Sequence, residues 1–210
     1  MPHTRKGLLL VVSGPSGVGK GTVGKALMAR NPTIRFSVSC TTRLPRPSEL
    51  DGLHYFFKTD EEFEQMIDEG AFLEYTKVFG ANYYGTPRAY VDQQLSTGQD
   101  ILLDIDVHGA LKVKERCPDA VMIFLAPPSM SALRGRLVGR GTECSEAVER
   151  RFREAYAELS HMKEYEYLVV NDVLDKAVKE LEQIIAAERL RVSRNEDFIV
   201  KFHDEGGQSL

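Results

Sequence analysis

Gly14-Pro15-Ser16-Gly17-Val18-Gly19-Lys20-Gly21-Thr22 is the stretch from which the fold can be read. Ahead of it runs Gly7-Leu8-Leu9-Leu10-Val11-Val12-Ser13, an apolar run of branched residues that reads as a strand buried on both faces. Behind it, Val23 to Arg30 follows a helical period. Strand, glycine-rich turn, lysine and helix are the parts of a phosphate-binding loop. The glycines let successive backbone N–H groups turn inward around an anion, and the helix N-terminus adds its partial positive charge. Lys20 supplies a full charge at the outer phosphates.

One position departs from the pattern. The motif places Ser or Thr directly after the lysine, to hold Mg²⁺; here Gly21 stands there and the hydroxyl comes at Thr22. One helical residue turns a side chain by about 100°, so Thr22 does not replace the missing ligand. Phosphate binding is expected to stand, with Mg²⁺ short of one protein ligand.

The chain has 210 residues, enough for one large domain or a core with small insertions. Its apolar and charged fractions, 42% and 28%, are those of an ordinary globular protein. No apolar run reaches the roughly 20 residues of a membrane span. The net charge of −4 argues against general nucleic-acid binding. Cys40, Cys117 and Cys144 lack metal or redox spacing, which points to a reducing, cytoplasmic home. Monomer and homo-oligomer both stay open.

After the first helix, Arg35 to Thr42 alternates like a half-buried strand. Arg43 to Gly52 is a polar loop in which Arg43 and Arg46 flank Pro45. Prolines stiffen such a loop and can aim both guanidinium groups at one phosphate, with Tyr55 and Tyr84 as hydroxyl donors. Leu53 to Phe57 reads as an aromatic strand, and Thr59 with Glu62 as a capping box for a helix that Gly70 ends. Phe72 to Phe79 is another strand, Gly80 to Thr86 a turn-rich loop, and Thr86 the cap of a helix starting at Pro87. This β-rich piece reads as an inserted lobe.

The α/β alternation then resumes. Ile101 to Asp106 is an apolar strand ending in carboxylates, Val107 to Arg116 a helix, and Val121 to Leu125 a buried strand. Ser129 caps a helix to about Val138, Gly139-Arg140-Gly141 breaks it, and Ser145 starts the next. Tyr167 to Val170 is the last core strand, and a long amphipathic helix runs from about Leu174 to Val192. His203 to Leu210 reads as a frayed tail. Buried strands alternating with helices predict a parallel sheet covered on both faces, with ligands at the strands' carboxyl ends.

Asp104 and Asp106 are two apart and on a strand would share a face, where they meet either Mg²⁺ waters or a ligand's N–H groups. Of the arginines between Arg134 and Arg153, Arg140 and Arg151 read as a closing lid. Arg134, Arg150 and Arg153 read as a solvated face. The five histidines form no metal or catalytic pair by spacing.

Taken together, GPSGVGK at 14–20, SCTTRLPRP at 39–47, Tyr55 in HYFF, GANYYGT at 80–86, LDIDVHG at 103–109, GRGT at 139–142 and VVND at 169–172 resemble the guanylate kinase family. The likeness covers about Leu8 to Arg191. It implies an α/β P-loop kinase fold with a parallel sheet flanked by helices, an inserted GMP-binding lobe and a helical lid. The implied division is 1–36, 92–128 and 152–210 for the core, 37–91 for the lobe and 129–151 for the lid. The implied reaction moves the γ-phosphoryl of ATP to GMP, with Mg²⁺.

By the same resemblance, Gly14, Pro15, Ser16, Gly17, Val18, Gly19, Lys20, Gly21 and Thr22 bind ATP phosphates. Arg43, Arg46, Tyr55 and Tyr84 hold the GMP phosphate. Ser39, Glu74, Thr86 and Asp106 read guanine, and Asp104 joins the substrate site and faces Mg²⁺ through water. Arg136, Arg140 and Arg151 form the lid and phosphate clamp, and Asn171 lies near the ATP base. Lys20, Arg43, Arg140 and Arg151 are the expected catalytic groups. Besides Gly21, His108 stands where the family usually has Gln, and one residue is added near Ala81. A catalytically silent binding module of the same fold would be expected to lose Lys20 and the phosphate arginines, which are present. A kinase for another monophosphate is the third reading, against which Glu74 and the Ser39 and Thr86 hydroxyls argue for guanine.

Overall fold

The computed structural model describes residues 6–78, 82–138 and 145–207. Strand β1 (Leu9–Ser13) enters the glycine loop and helix α1 (Lys20–Arg30) leaves it, followed by β2 (Ile34–Phe36). Next come β3 (Ser39–Thr41), β4 (Tyr55–Phe57), α2 (Asp60–Asp68), β5 (Phe72–Val78) and β6 (Asn82–Pro87). The alternation resumes with α3 (Arg88–Ser96), β7 (Asp100–Asp104), α4 (Val107–Arg116) and β8 (Val121–Ala126). The chain continues through α5 (Met130–Val138), α6 (Ser145–Leu159), β9 (Tyr167–Val170), α7 (Leu174–Arg189) and α8 (Glu196–Gly207).

A parallel five-stranded sheet in the order β2-β7-β1-β8-β9 forms the core. One face packs Leu10, Val12, Ile123 and Val169 against Val23 and Leu27 of α1 and Val178 and Leu181 of α7. The other packs Leu9, Val11, Ile101 and Leu103 against Val91 and Leu95 of α3 and Ala110 and Val113 of α4. Both faces are apolar because both are covered, which explains the uninterrupted apolar runs. The register sets Asp104 beside Val12, so the end of β7 stands level with the mouth of the glycine loop. Among the described residues no helix is long and apolar enough to cross a membrane.

A second sheet, β4-β3-β6-β5, arises entirely between β2 and α3. Phe63 of α2 stacks between Phe72 and Tyr83, at 4.4 and 5.0 Å between ring centres, and closes a small core with Cys40. The Thr59–Glu62 capping box starts α2 as expected, both reciprocal bonds being present.

Four expectations change. The stretch Arg35 to Thr42 is divided between the sheets: Ser37 N–H still bonds Leu102 of the core, whereas Ser39 pairs with Tyr55 in the lobe. The expected loop before Thr86 is strand β6 from Asn82 on, and Thr86 lies within it and caps no helix. β7 stops at Asp104, so Asp106 is not on the strand; it is the N-cap of α4, accepting 2.8 Å from Gly109 N–H. The expected frayed tail is helical as far as Gly207.

Candidate active site

The glycine loop takes its shape from two glycines at positive φ, where a side chain is strained or excluded. Gly14 has φ 147°, and a Cβ there would lie 2.2 Å from the Leu125 carbonyl oxygen. Gly19, at φ 97°, turns the chain into α1 in the left-handed conformation. Around this loop the structure collects residues from distant parts of the chain. Asn171, buried at the end of β9, donates from Nδ2 to Val18 O at 2.8 Å. Arg136 of α5 donates to Val18 O at 3.2 Å and to Asn171 O at 2.8 Å. Arg151 of α6 donates to Ser16 Oγ at 2.8 Å, and Glu158, two turns along the same helix, accepts from Ser16 N–H at 3.2 Å. Lys20 Nζ reaches across the loop to Gly14 O at 2.7 Å.

Asp104 closes the front of the loop. Its Oδ2 lies 3.3 Å from where a Cβ on Gly21 would sit. Desolvation in the cleft raises its pKa, and the charge of Lys20 lowers it. Glu158 shows the same pattern: burial raises its pKa, and the Ser16 N–H and Lys20 oppose the rise. Among the described residues no three His, Cys, Asp or Glu side chains converge as a metal cage. The donor set fits a Mg²⁺ held mainly by phosphate and water oxygens, since that ion sheds water reluctantly and often keeps few carboxylate neighbours.

A second cluster lies in the lobe. Arg43 donates from Nε to the Tyr84 hydroxyl at 3.2 Å and sits over the Tyr55 ring, 5.4 Å from its centre. Glu49 grips the end of the same guanidinium at 2.9 and 3.0 Å and also accepts from Arg46 N–H at 2.8 Å. Those bonds hold Glu49 down at a pKa of about 2, the Arg43 side chain being the larger cause. Arg46 joins the cluster through its backbone, while its side chain is exposed.

The third cluster lies between the two sheets. Glu74 of β5 and Thr86 of β6 stand opposite each other, both buried, and the Thr86 hydroxyl donates to Glu74 Oε1 at 2.7 Å. Burial pushes the Glu74 carboxyl up to about 7, the Thr86 bond and Lys112 opposing and the charge of Asp106 assisting. Gly109 at the start of α4 leaves room for Glu74, whose Oε2 would lie 3.1 Å from a Cβ there.

A cavity of about 300 Å³ lies between the core and the lobe, walled by Lys25 of α1, Asp104 of β7 and Ser39, Glu49 and Tyr55 of the lobe. A larger cavity, about 1000 Å³, lies at the amino ends of β1, β8 and β9 beside Arg194 and Phe198. It shares no wall with the phosphate loop and stands at the sheet end that parallel α/β folds do not use for ligands.

The loop residues, Arg136, Arg151, Asn171 and Asp104 thus converge, as do Arg43, Tyr55 and Tyr84, and as do Glu74, Thr86 and Asp106. Arg140, with the GRGT run, lies outside the described residues, as does the residue added near Ala81. Arg134 pairs with Glu149, and Arg150 with Glu154 at 4.0 Å, consistent with the solvated face expected for them. His108 and His161 meet edge to face, 5.9 Å between ring centres, a pairing that spacing did not foretell. Glu49 and Glu158 were missed. A carboxylate three residues after Arg46, and one seven after Arg151 on a helix, are the available signals.

The guanylate kinase family model matches residues 6–188. A guanylate kinase of Caldanaerobacter subterraneus subsp. tengcongensis is 51% identical over 205 residues, covering 98% of this chain and 99% of that one. A guanylate kinase of Symbiobacterium thermophilum is 56% identical, covering 93% and 92%. The crystal structure of guanylate kinase from Anaplasma phagocytophilum superposes with a TM-score of 0.72 at 34% identity, over 91% of this chain and 90% of that one. On these likenesses, spanning nearly its whole length, the chain belongs to the guanylate kinase family.

Proposed function

We propose that the protein transfers the γ-phosphoryl of ATP to GMP, giving ADP and GDP, in the cytoplasm. The observation that carries this reading is the 300 Å³ cavity, whose walls come from both the phosphate loop's helix and the lobe. It sets Lys25 and Asp104, beside the phosphate loop, across one cleft from Glu49 and Tyr55 of the lobe. We read 37–91 as the GMP lobe, 129–151 as the lid and the rest as the core.

In this account the loop backbone from Gly14 to Thr22 cradles the ATP phosphates, and Lys20 exchanges its bond to Gly14 O for phosphate oxygens. Arg136, Arg140 and Arg151 hold the triphosphate from the lid side, and Asn171 braces the loop near the base. Arg43, Arg46, Tyr55 and Tyr84 hold the GMP phosphate. That phosphate is already an anion, so the nucleophile needs no general base. Alignment and charge neutralisation are what the protein contributes. A bound Mg²⁺ would supply charge neutralisation at the phosphate oxygens, and Asp104 would be the residue to hold it through water.

Guanine offers two N–H donors beside one carbonyl acceptor. Ionised Glu74 suits the donors. Thr86 spends its single O–H on Glu74, so its lone pairs face a donor and Ser39 is left to donate to the carbonyl. Asp106 keeps one oxygen on Gly109 N–H and has the other for the base. Adenine would leave these groups unpaired, a mismatch that such sites reject by about 10⁴-fold.

Lys20→Ala tests the reading. Transfer should fall by about 10²–10³-fold, with the circular dichroism of the wild type. Near-normal turnover by the folded variant would remove the loop from the mechanism.

A further inference from the structure

The Arg43 guanidinium has five N–H groups, and the structure accounts for four of them. Nε–H goes to Tyr84; one Nη1 proton goes to Leu44 O at 2.7 Å and the other to Glu49; one Nη2 proton goes to Glu49. The end-on fork that would grip a phosphate is therefore filled by a carboxylate. Glu49 is not a loose surface partner. Its side chain is 12% exposed and that of Arg43 is 18% exposed. It also ties down the Arg46 backbone and walls the cavity that the lobe shares with β7.

We propose that Glu49 is the positioning residue of the GMP phosphate clamp. It holds Arg43 over Tyr55 with one Nη2–H left for a phosphate oxygen, and it fixes the backbone from which Arg46 extends. This rests on reading Arg43 as a GMP phosphate ligand. Three features favour a fixed brace over an anion that leaves when phosphate arrives. The carboxylate bonds Arg43 through both oxygens. It also carries a main-chain bond that phosphate would have to break. With the fork held, the guanidinium lies over the ring of Tyr55, 5.4 Å from its centre. With the fork filled, Arg46 and the Tyr55 and Tyr84 hydroxyls supply most direct contacts to the phosphate.

Steady-state kinetics of Glu49→Gln, Glu49→Asp, Arg43→Lys and the double variant Glu49→Gln/Arg43→Lys test this. Glu49→Gln turns an amide N–H₂ toward the guanidinium and opens the fork. KM for GMP should rise about tenfold or more, while KM for ATP stays within about twofold, showing the fold intact. Glu49→Asp, which keeps the charge, should recover part of the loss. If Glu49 acts through Arg43, the double variant should bind GMP no worse than Arg43→Lys alone. An unchanged KM for GMP in Glu49→Gln, or additive losses in the double variant, would overturn the positioning role. A lowered KM would show instead that the carboxylate competes with phosphate. Should Arg43→Lys itself leave GMP binding unchanged, the clamp reading of Arg43 fails, which is a separate result.

Discussion

Thr86 and Glu74 face each other across neighbouring strands and are joined by a 2.7 Å hydrogen bond, buried between the two sheets. The bond ties the Glu74 carboxylate to a fixed strand. It also keeps that carboxyl from rising further than its burial drives it, to about 7 from 4.5. Leu73, next in the chain, packs with the core strands, so the carboxylate sits where lobe and core meet.

Since the folded pKa is raised, the folded protein keeps a proton on Glu74 that the unfolded chain releases near pH 4.5. The contribution of this group to stability is full below about pH 4.5 and is lost as pH rises through about 7. On the proposed reading of Glu74 as the guanine acceptor, GMP binding runs the other way, because only an ionised carboxylate accepts two N–H groups. Calorimetry should show GMP affinity rising between pH 6 and 8, about tenfold at most. Glu74→Gln should show only the dependence that comes from the phosphate's own titration.

Thr86→Val removes the bond that lowers the Glu74 pKa. The pH at which GMP affinity rises should move upward, and an unmoved midpoint would show that the bond carries no such weight. At neutral pH the loss of affinity should be about 1–2 kcal/mol.

Gly14→Ala places a Cβ where the Leu125 carbonyl oxygen stands and forces an L side chain into φ 147°. Urea unfolding should show a loss of about 3 kcal/mol or more. A loss below about 1 kcal/mol would mean the loop and β8 separate easily.

Gly21→Ser should be tolerated, since the new Cβ meets only the end of the Asp104 side chain at 3.3 Å. Its hydroxyl stands where the phosphate-loop pattern places a Mg²⁺ ligand, so on the proposed reading activity should reach half-maximum at lower free Mg²⁺. Asp104→Asn should require more. Titrating free Mg²⁺ for both variants checks this, and a curve unmoved by Asp104→Asn would detach that residue from the ion.

The core was legible because its signals are contiguous. The glycine loop, its lysine and the apolar runs that become β1, β7 and β8 each lie within a few neighbouring residues. The Thr59–Glu62 box and the Val107–Arg116 helix were readable for the same reason. What escaped depends on approach in space. The alternation from Arg35 to Thr42 does not reveal that the chain changes sheets at Ser37. The spacing of Asp104 and Asp106 implied a shared strand face, but the second residue caps a helix. Thr86 has the chemistry of a cap, and only its pairing with Glu74 shows where its hydroxyl goes. Glu49 and Glu158 escaped notice because their partners, Arg43 and the Ser16 N–H, meet them only after folding.

The central claim is that phosphate loop, clamp and guanine pocket serve one reaction. A coupled assay with ATP, Mg²⁺ and GMP, AMP, dTMP or UMP as acceptor tests it most directly. The account predicts a kcat/KM for GMP at least about 10³-fold above each of the others. Comparable use of AMP, dTMP or UMP, or no transfer to GMP by the folded protein, would contradict it.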